Sequence, residues 1–313
     1  MRVTGSTIAW AVLIVGGCFG ASVAMPLATY TLALACFGLV HVGTELRFVD
    51  LRFSGRLYPI WRWIAPLLVA GFVARSAGLD GILEPNIAAG LELACGAGLM
   101  FACSRALRRR QGIALVAGAT AMVGAVMAPA ETMLAFAVLH NFTPLALVTE
   151  AVSRERRGSA FCLLAIGFVA LPALIVAGWP ADLLYAAGLY APEYTILRVG
   201  GLEQHLGVYV PPALAQHDRA VDVFSAAVFT QCLHYAIVIH VLPRLLPATP
   251  TAGFVHWPKP PTFVVALSTV ALVLIVPFWL NFSGARKLYG LAAMTHAWIE
   301  IPVLLLMLGG RSD

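Results

Sequence analysis

His41 and Glu45 stand four residues apart, and so do His296 and Glu300. On a helix that spacing turns one side chain about 40° from the other, so each pair shares a face. An imidazole and a carboxylate one turn apart suit the chelation of one metal ion or the bridging of two. His140 is followed by Asn141, and His234 lies three residues after Gln231, which puts those two on one face. His240 ends the same run, six residues past His234 and about 240° away in phase, so a regular helix cannot aim both at one small site. Each of these histidines sits in an apolar run. A charged side chain in hydrocarbon costs about 2.5–3.5 kcal/mol on insertion scales, so four runs carrying such groups point to convergence on something bound. The expected metal ligands are therefore His41, His140, His234, His240 and His296. His240 has a proton relay or an interfacial position as its alternative. Glu45, Glu300 and Asn141 are the expected catalytic partners, as further ligands or as groups that orient a ring or a water.

Blander readings stand beside these. Each His–Glu pair could be a hydrogen bond satisfied within its own helix. Pro144, four residues past His140, removes a backbone donor and predicts a bend there, with or without a ligand. His205, His217 and His256 fall in polar connections and are expected to be solvated, and Asp182, Glu193 and Asp218 to lie on the same outer surface. Glu92 is a lone carboxylate in an apolar run, neutral or paired with a helix end. The six cysteines lie in apolar runs without a C-x-x-C and read as packing residues. Nucleophile-elbow, Walker, dinucleotide and H-E-x-x-H signatures are absent.

The scaffold follows from composition. Of 313 residues, 60% are hydrophobic and only 11% charged, with a mean hydropathy of +0.87. Soluble domains carry about 25% charge. Apolar runs of about 20 residues, continuous rather than alternating, predict an all-α polytopic transmembrane bundle of about ten spans, because lipid leaves backbone groups no other partners. The whole chain, 1–313, reads as one integral membrane domain. Its longest polar connection, 180–219, is expected to be extracytoplasmic with one interfacial helix over 181–189. The first apolar run runs directly into the next at Pro26 and is expected to be a retained helix, not a signal peptide.

Arginine clusters at 47–62, 105–110 and 154–157, with Arg244 after the eighth run, fall on one side of the predicted topology. The positive-inside rule makes that side cytoplasmic, with both termini there, and predicts a multi-pass inner-membrane protein. Arg286 and Lys287 are the exception. The net charge of +5 is thereby accounted for by topology and does not signal a nucleic-acid partner. The four histidine-bearing runs, 28–45, 132–148, 221–242 and 289–307, all cross in the same direction, at depths compatible with one site.

In order along the chain, Leu39-Val40-His41-Val42-Gly43-Thr44-Glu45, Leu139-His140-Asn141, Cys232-Leu233-His234 through His240, and Thr295-His296 through Glu300 resemble the Brp/Blh family. Those bacterial and archaeal membrane proteins cleave β-carotene to retinal and carry histidines on several helices, several followed one turn on by an aspartate. The acids here are glutamates, and the likeness covers only these short segments. The resemblance implies Fe2+, dioxygen and an apolar substrate.

The leading expectation is an integral membrane non-haem iron oxygenase acting on a lipophilic, carotenoid- or lipid-like molecule that arrives from the bilayer, with membrane lipids as surroundings. A haem-clamping electron carrier, a proton-coupled transporter and a zinc lipid hydrolase are the alternatives.

Overall fold

The computed structural model describes residues 5–105, 107, 111–246 and 253–308, with side chains from residue 9 onward. Arg108, Arg109 and Arg110 of the predicted basic connection, and both chain ends, lie outside the described residues. Among those described, every regular element is helical. In chain order they are α1 (Gly5–Ala24), α2 (Pro26–Leu57), α3 (Trp61–Leu79), α4 (Pro85–Ser104), α5 (Gln111–Met127), α6 (Pro129–His140) and α7 (Thr143–Ala151). There follow α8 (Arg157–Ala165), α9 (Leu171–Val176), α10 (Trp179–Ala186), α11 (Glu203–Leu206), α12 (Ala220–His240), α13 (Pro260–Leu280) and α14 (Phe282–Leu308).

Among the described residues, seven helical stretches are long and apolar enough to cross a membrane; the first, Pro26–Leu79, holds both α2 and α3, and two shorter apolar helices cover Ala9–Ala24 and Gln111–Met127. Many large apolar side chains are exposed, Leu13 of α1, Val116 of α5 and Leu272 of α13 among them. Continuous apolar surface of that kind marks a face built for lipid.

Proline sets several boundaries. Pro26, Pro85, Pro129 and Pro260 each open a helix, where a missing N–H costs nothing and the fixed φ fits the first turn. Helix α2 has 32 residues, about 48 Å, against an apolar layer of about 30 Å. Its last turns, with Arg47, Asp50, Arg52 and Arg56, therefore project beyond the layer. The expected apolar run ends at residue 45, with this basic stretch as the loop after it. It stays helical because Asp50 accepts from the Phe254 and Val255 backbone N–H groups (2.8 and 3.1 Å) and from Trp257 Nε1 (2.8 Å). That latch fastens α2 to the segment before α13.

Two spans expected as single helices are interrupted. Residues 132–148 divide into α6 and α7 at Asn141–Phe142, where the Asn141 and Phe142 N–H groups bond three residues back, to Val138 and Leu139. Pro144 removes a donor just past that point, as the sequence predicted. The seventh run contains a π-helical turn, Ile166–Ala170, between α8 and α9.

Helices α2, α12 and α14 form the centre: α2 packs on both others, α7 touches α12 and α14, and α3 and α4 cover the flank of α14. The connection 180–219 begins with α10, close to the interfacial helix expected there, and its second half folds inward. Leu202, Leu206 and Val210 pack with Tyr30, Phe224 and Phe282 over the first turns of α2, α12 and α14.

The close fit of α4 to α14 rests on Gly96. The indole of Trp298 occupies the space that a Cβ at this position would need. Gly96→Ala should therefore destabilise the fold by about 1–3 kcal/mol through overpacking. A lowered midpoint in thermal unfolding of the detergent-solubilised protein checks this, with Gly55→Ala, which meets nothing within 4 Å, as control.

Candidate metal centre

Four helices bring one imidazole each to a common point. His41 comes from α2, His140 is the last residue of α6, His234 lies in α12, and His296 in α14. Each offers a ring nitrogen such that all four lie within 4.8 Å of one another, and Glu45, His296 and Glu300 meet the same limit. The ring centroids are 4.7 Å apart for His140 and His296, 4.8 Å for His140 and His234, 5.0 Å for His41 and His296, and 5.3 Å for His41 and His234. His41, Glu45, His234, His296 and Glu300 are each at most 1% exposed.

Helix register explains the set. The i, i+4 spacing of His41 with Glu45, and of His296 with Glu300, aims both members of each pair at the helix interface. The end of α6 at His140 turns that ring inward. Its Nδ1 lies 2.8 Å from Glu300 Oε2, which leaves Nε2 facing His296 Nε2 at 3.1 Å. His234 Nε2 stands 3.4 Å from Glu45 Oε2. Two ligand atoms held about 2.1 Å from one ion, at square or tetrahedral angles, are about 3.0–3.4 Å apart. Both separations have that value.

The polar atoms themselves test whether an ion fits. Both Glu45 oxygens, both His234 nitrogens, His296 Nδ1 and Glu300 Oε1 are buried without a hydrogen bond. Buried polar groups are nearly always satisfied, and leaving one unpaired costs about 1–3 kcal/mol. The two nitrogens of one imidazole diverge, so a cation held by His234 Nε2 and His296 Nε2 would satisfy at most four of these six atoms: His234 Nε2 and the three glutamate oxygens. The donor set is mixed nitrogen and oxygen, which suits iron or zinc.

The other expected residues are placed as follows. His240, expected as a ligand, is instead exposed at the end of α12, outside the cluster, and its carbonyl accepts from Arg244 Nη1. The phase difference from His234 accounts for this. Asn141 is buried beside the cluster, and its Nδ2 donates to the Ala137 carbonyl at 3.4 Å, closing the end of α6. His217 and His256 are exposed. His205 differs from the expectation of a solvated ring. It is 3% exposed and donates from Nε2 to the Val199 carbonyl at 2.9 Å, because 197–210 folds onto the helix ends. Burial lowers its pKa, more than the Val199 bond offsets.

Several residues at the site went unnoticed in the sequence. Tyr235 stacks on His41, with centroids 4.0 Å apart and planes 22° from parallel. Its hydroxyl accepts from Gln231 Nε2 (2.8 Å) and lies 3.1 Å from the Tyr289 hydroxyl. Glu92 is not alone: Arg75 Nε and Nη2 hold its two oxygens at 2.7 and 2.8 Å, and Trp298 Nε1 donates to it at 2.8 Å. The test applied to the histidines, an ionisable group inside an apolar run, would have flagged Arg75.

A cavity of about 500 Å³ opens beside the cluster, lined along α14 from Arg286 past His296 and Glu300 to Leu305, with His41 and His140 bordering it midway and Tyr30 and Arg75 toward the Arg286 end. Its walls are mainly apolar, with Leu34, Met133, Phe136 and Met294 among them. It reaches the outer face of α6 at Leu139, which is 61% exposed. Its volume falls in the roughly 300–1,000 Å³ range of small-molecule sites.

Searches with the chain matched no family model, no curated protein and no solved structure.

Proposed function

We propose that the chain is an integral membrane metalloenzyme that oxidises a lipophilic substrate. The observation that carries this is the meeting of four imidazoles, three of them buried and His140 half-buried, with two buried carboxylates beside an apolar cavity. His41, His140, His234 and His296 would hold a non-haem Fe2+, with Glu45 and Glu300 as further ligands or ring partners. Bound there, iron supplies the one-electron chemistry that activating dioxygen requires. Iron rather than zinc is favoured by the resemblance of the histidine segments to the Brp/Blh family.

The chain's own groups do the rest. Glu300 accepts from His140 Nδ1 and so commits Nε2 to the centre, as carboxylates behind ligand histidines do. Tyr235 fixes the plane of His41 by stacking. The apolar walls exclude water and hold a hydrocarbon chain against the imidazoles.

A haem reading fits less well. Two imidazoles that clamp a macrocycle need a planar slot between them, and ring centroids 4.7–5.3 Å apart close it. A zinc hydrolase would use the same ligands and is separated by the identity of the ion.

The topology we propose has ten crossings. It takes α2 and α3 as separate spans, α6 with α7 and α8 with α9 as one each, and adds α1 and α5. Both termini are then cytoplasmic, 180–219 is extracytoplasmic, and the inner membrane is the location. The single-sided arginine clusters support this.

Metal analysis with an absorption spectrum of the purified full-length protein tests the function. About one equivalent of iron or more per chain is expected, without a Soret band. Zinc in its place would move the reading to hydrolysis, and a metal-free protein that takes up none would end it.

A further inference from the structure

The end of the cavity away from the imidazoles holds more positive charge than the fold consumes. Arg75, on α3, spends Nε and Nη2 on Glu92. Its Nη1 points instead toward α14, 4.0 Å from where a Cβ on Gly290 would stand. Arg286 lies one turn before Gly290 on the same helix and borders the same cavity. Its hydrogen bond among the described residues is a long one, 3.5 Å to the Tyr30 hydroxyl, and no described carboxylate pairs with it. Arg75, Glu92 and Arg286 all line this part of the cavity, and Glu92 is spent on Arg75, which leaves one positive charge in excess.

Topology does not account for Arg286. It belongs to the basic pair that breaks the positive-inside pattern, and of that pair it is half-buried while Lys287 is exposed. The absence of a glycine side chain at 290 leaves room beside Arg75. Tyr30 adds a hydroxyl group to this end, 3.5 Å from Arg286 Nη1, while Leu34, Met133, Phe136 and Met294 also line the cavity. Gly290 and Arg286 precede His296 by six and ten residues, about 9 and 15 Å along α14.

We propose that the cavity binds a single-chain lipid with one negatively charged head, a carboxylate, seated between Arg75 and Arg286, with its hydrocarbon chain lying toward the metal centre. A monoanion balances the excess charge, and a carboxylate offers two oxygens to two guanidinium groups. A dianionic phosphate would leave a negative charge uncompensated in an apolar cavity. This names the substrate class of the proposed enzyme and rests on that reading for what happens to the chain. The head-group site itself needs no metal.

The test is competition binding on the full-length protein in a nonionic maltoside, with oleate, oleyl alcohol and oleyl sulfate displacing a fluorescent polyene fatty acid. Oleate should bind at least about tenfold more tightly than the alcohol, as charge-assisted bonds require. Arg286→Gln should bring the two to within about twofold by weakening oleate while leaving the alcohol unchanged. Oleyl sulfate equal to oleate would keep the anion site and remove its preference for carboxylate. Equal binding of acid and alcohol to the wild type, or an undiminished gap in Arg286→Gln, would overturn the proposal. His234→Ala separates the two readings. Retained oleate preference in that variant supports a head-group site independent of the ion, and its loss would reassign the carboxylate to the metal centre.

Discussion

His296→Ala should strip the protein of its metal. His296 is shared by both groupings at the centre, with the three other imidazoles on one side and the two glutamates on the other. Removing a single supporting partner behind a ligand typically costs 10–100-fold in metal affinity, and removing the ligand itself should exceed roughly 100-fold. His234→Ala should do the same, since both its ring nitrogens are buried and otherwise unpartnered. Metal content after size-exclusion in chelator-treated buffer is the measurement. His256→Ala and His240→Ala are the controls, the first exposed and the second outside the cluster. Full metal in His296→Ala, or loss in His256→Ala, would remove the site assignment. A cavity-forming substitution can also unfold a protein, so His296→Gln, which conserves volume and keeps polar atoms, should be tested beside it.

The second large effect concerns stability. Glu92→Leu should cost about 3 kcal/mol, in the range for breaking a buried ion pair by removing one partner. The carboxylate is 3% exposed and satisfies two guanidinium nitrogens and the Trp298 indole N–H at once. Because the Arg75 side chain remains 27% exposed, water recovers part of the loss, which keeps the figure at the lower end of that range. Thermal unfolding of the wild type, Glu92→Leu, Arg75→Leu and the double variant separates the pair from its parts. The double variant should be more stable than Glu92→Leu alone, because no charge is then left unpaired. An unchanged unfolding midpoint in Glu92→Leu would show the pair to be dispensable.

Much of this arrangement could be read from residue types. Continuous apolar runs signalled a helical membrane protein, because period and length are local properties of a chain. The four imidazoles that meet, His41, His140, His234 and His296, were singled out by where they sit, inside hydrocarbon. His240 was counted with them as an expected ligand, although its phase sets it apart from His234, and it lies outside the cluster. What could not be read was partnership across sequence. Glu92 looked solitary because Arg75 and Trp298 approach it from other helices. His205 looked solvated because nothing local shows that 197–210 folds inward over Tyr30 and Phe224. The basic end of α2 looked like a loop because its latch, Asp50 to Phe254, Val255 and Trp257, joins positions some two hundred residues apart.

On the proposed function, the break between α6 and α7 has a consequence for how substrate would be met. It lies just past His140, and the cavity beside it reaches the apolar flank at Leu139. A molecule that slips in there never dissolves in water. What governs occupancy is then its mole fraction in the leaflet, not its amount per litre. Catalysis should obey surface dilution: inert lipid added at constant total substrate would slow turnover as more buffer would not.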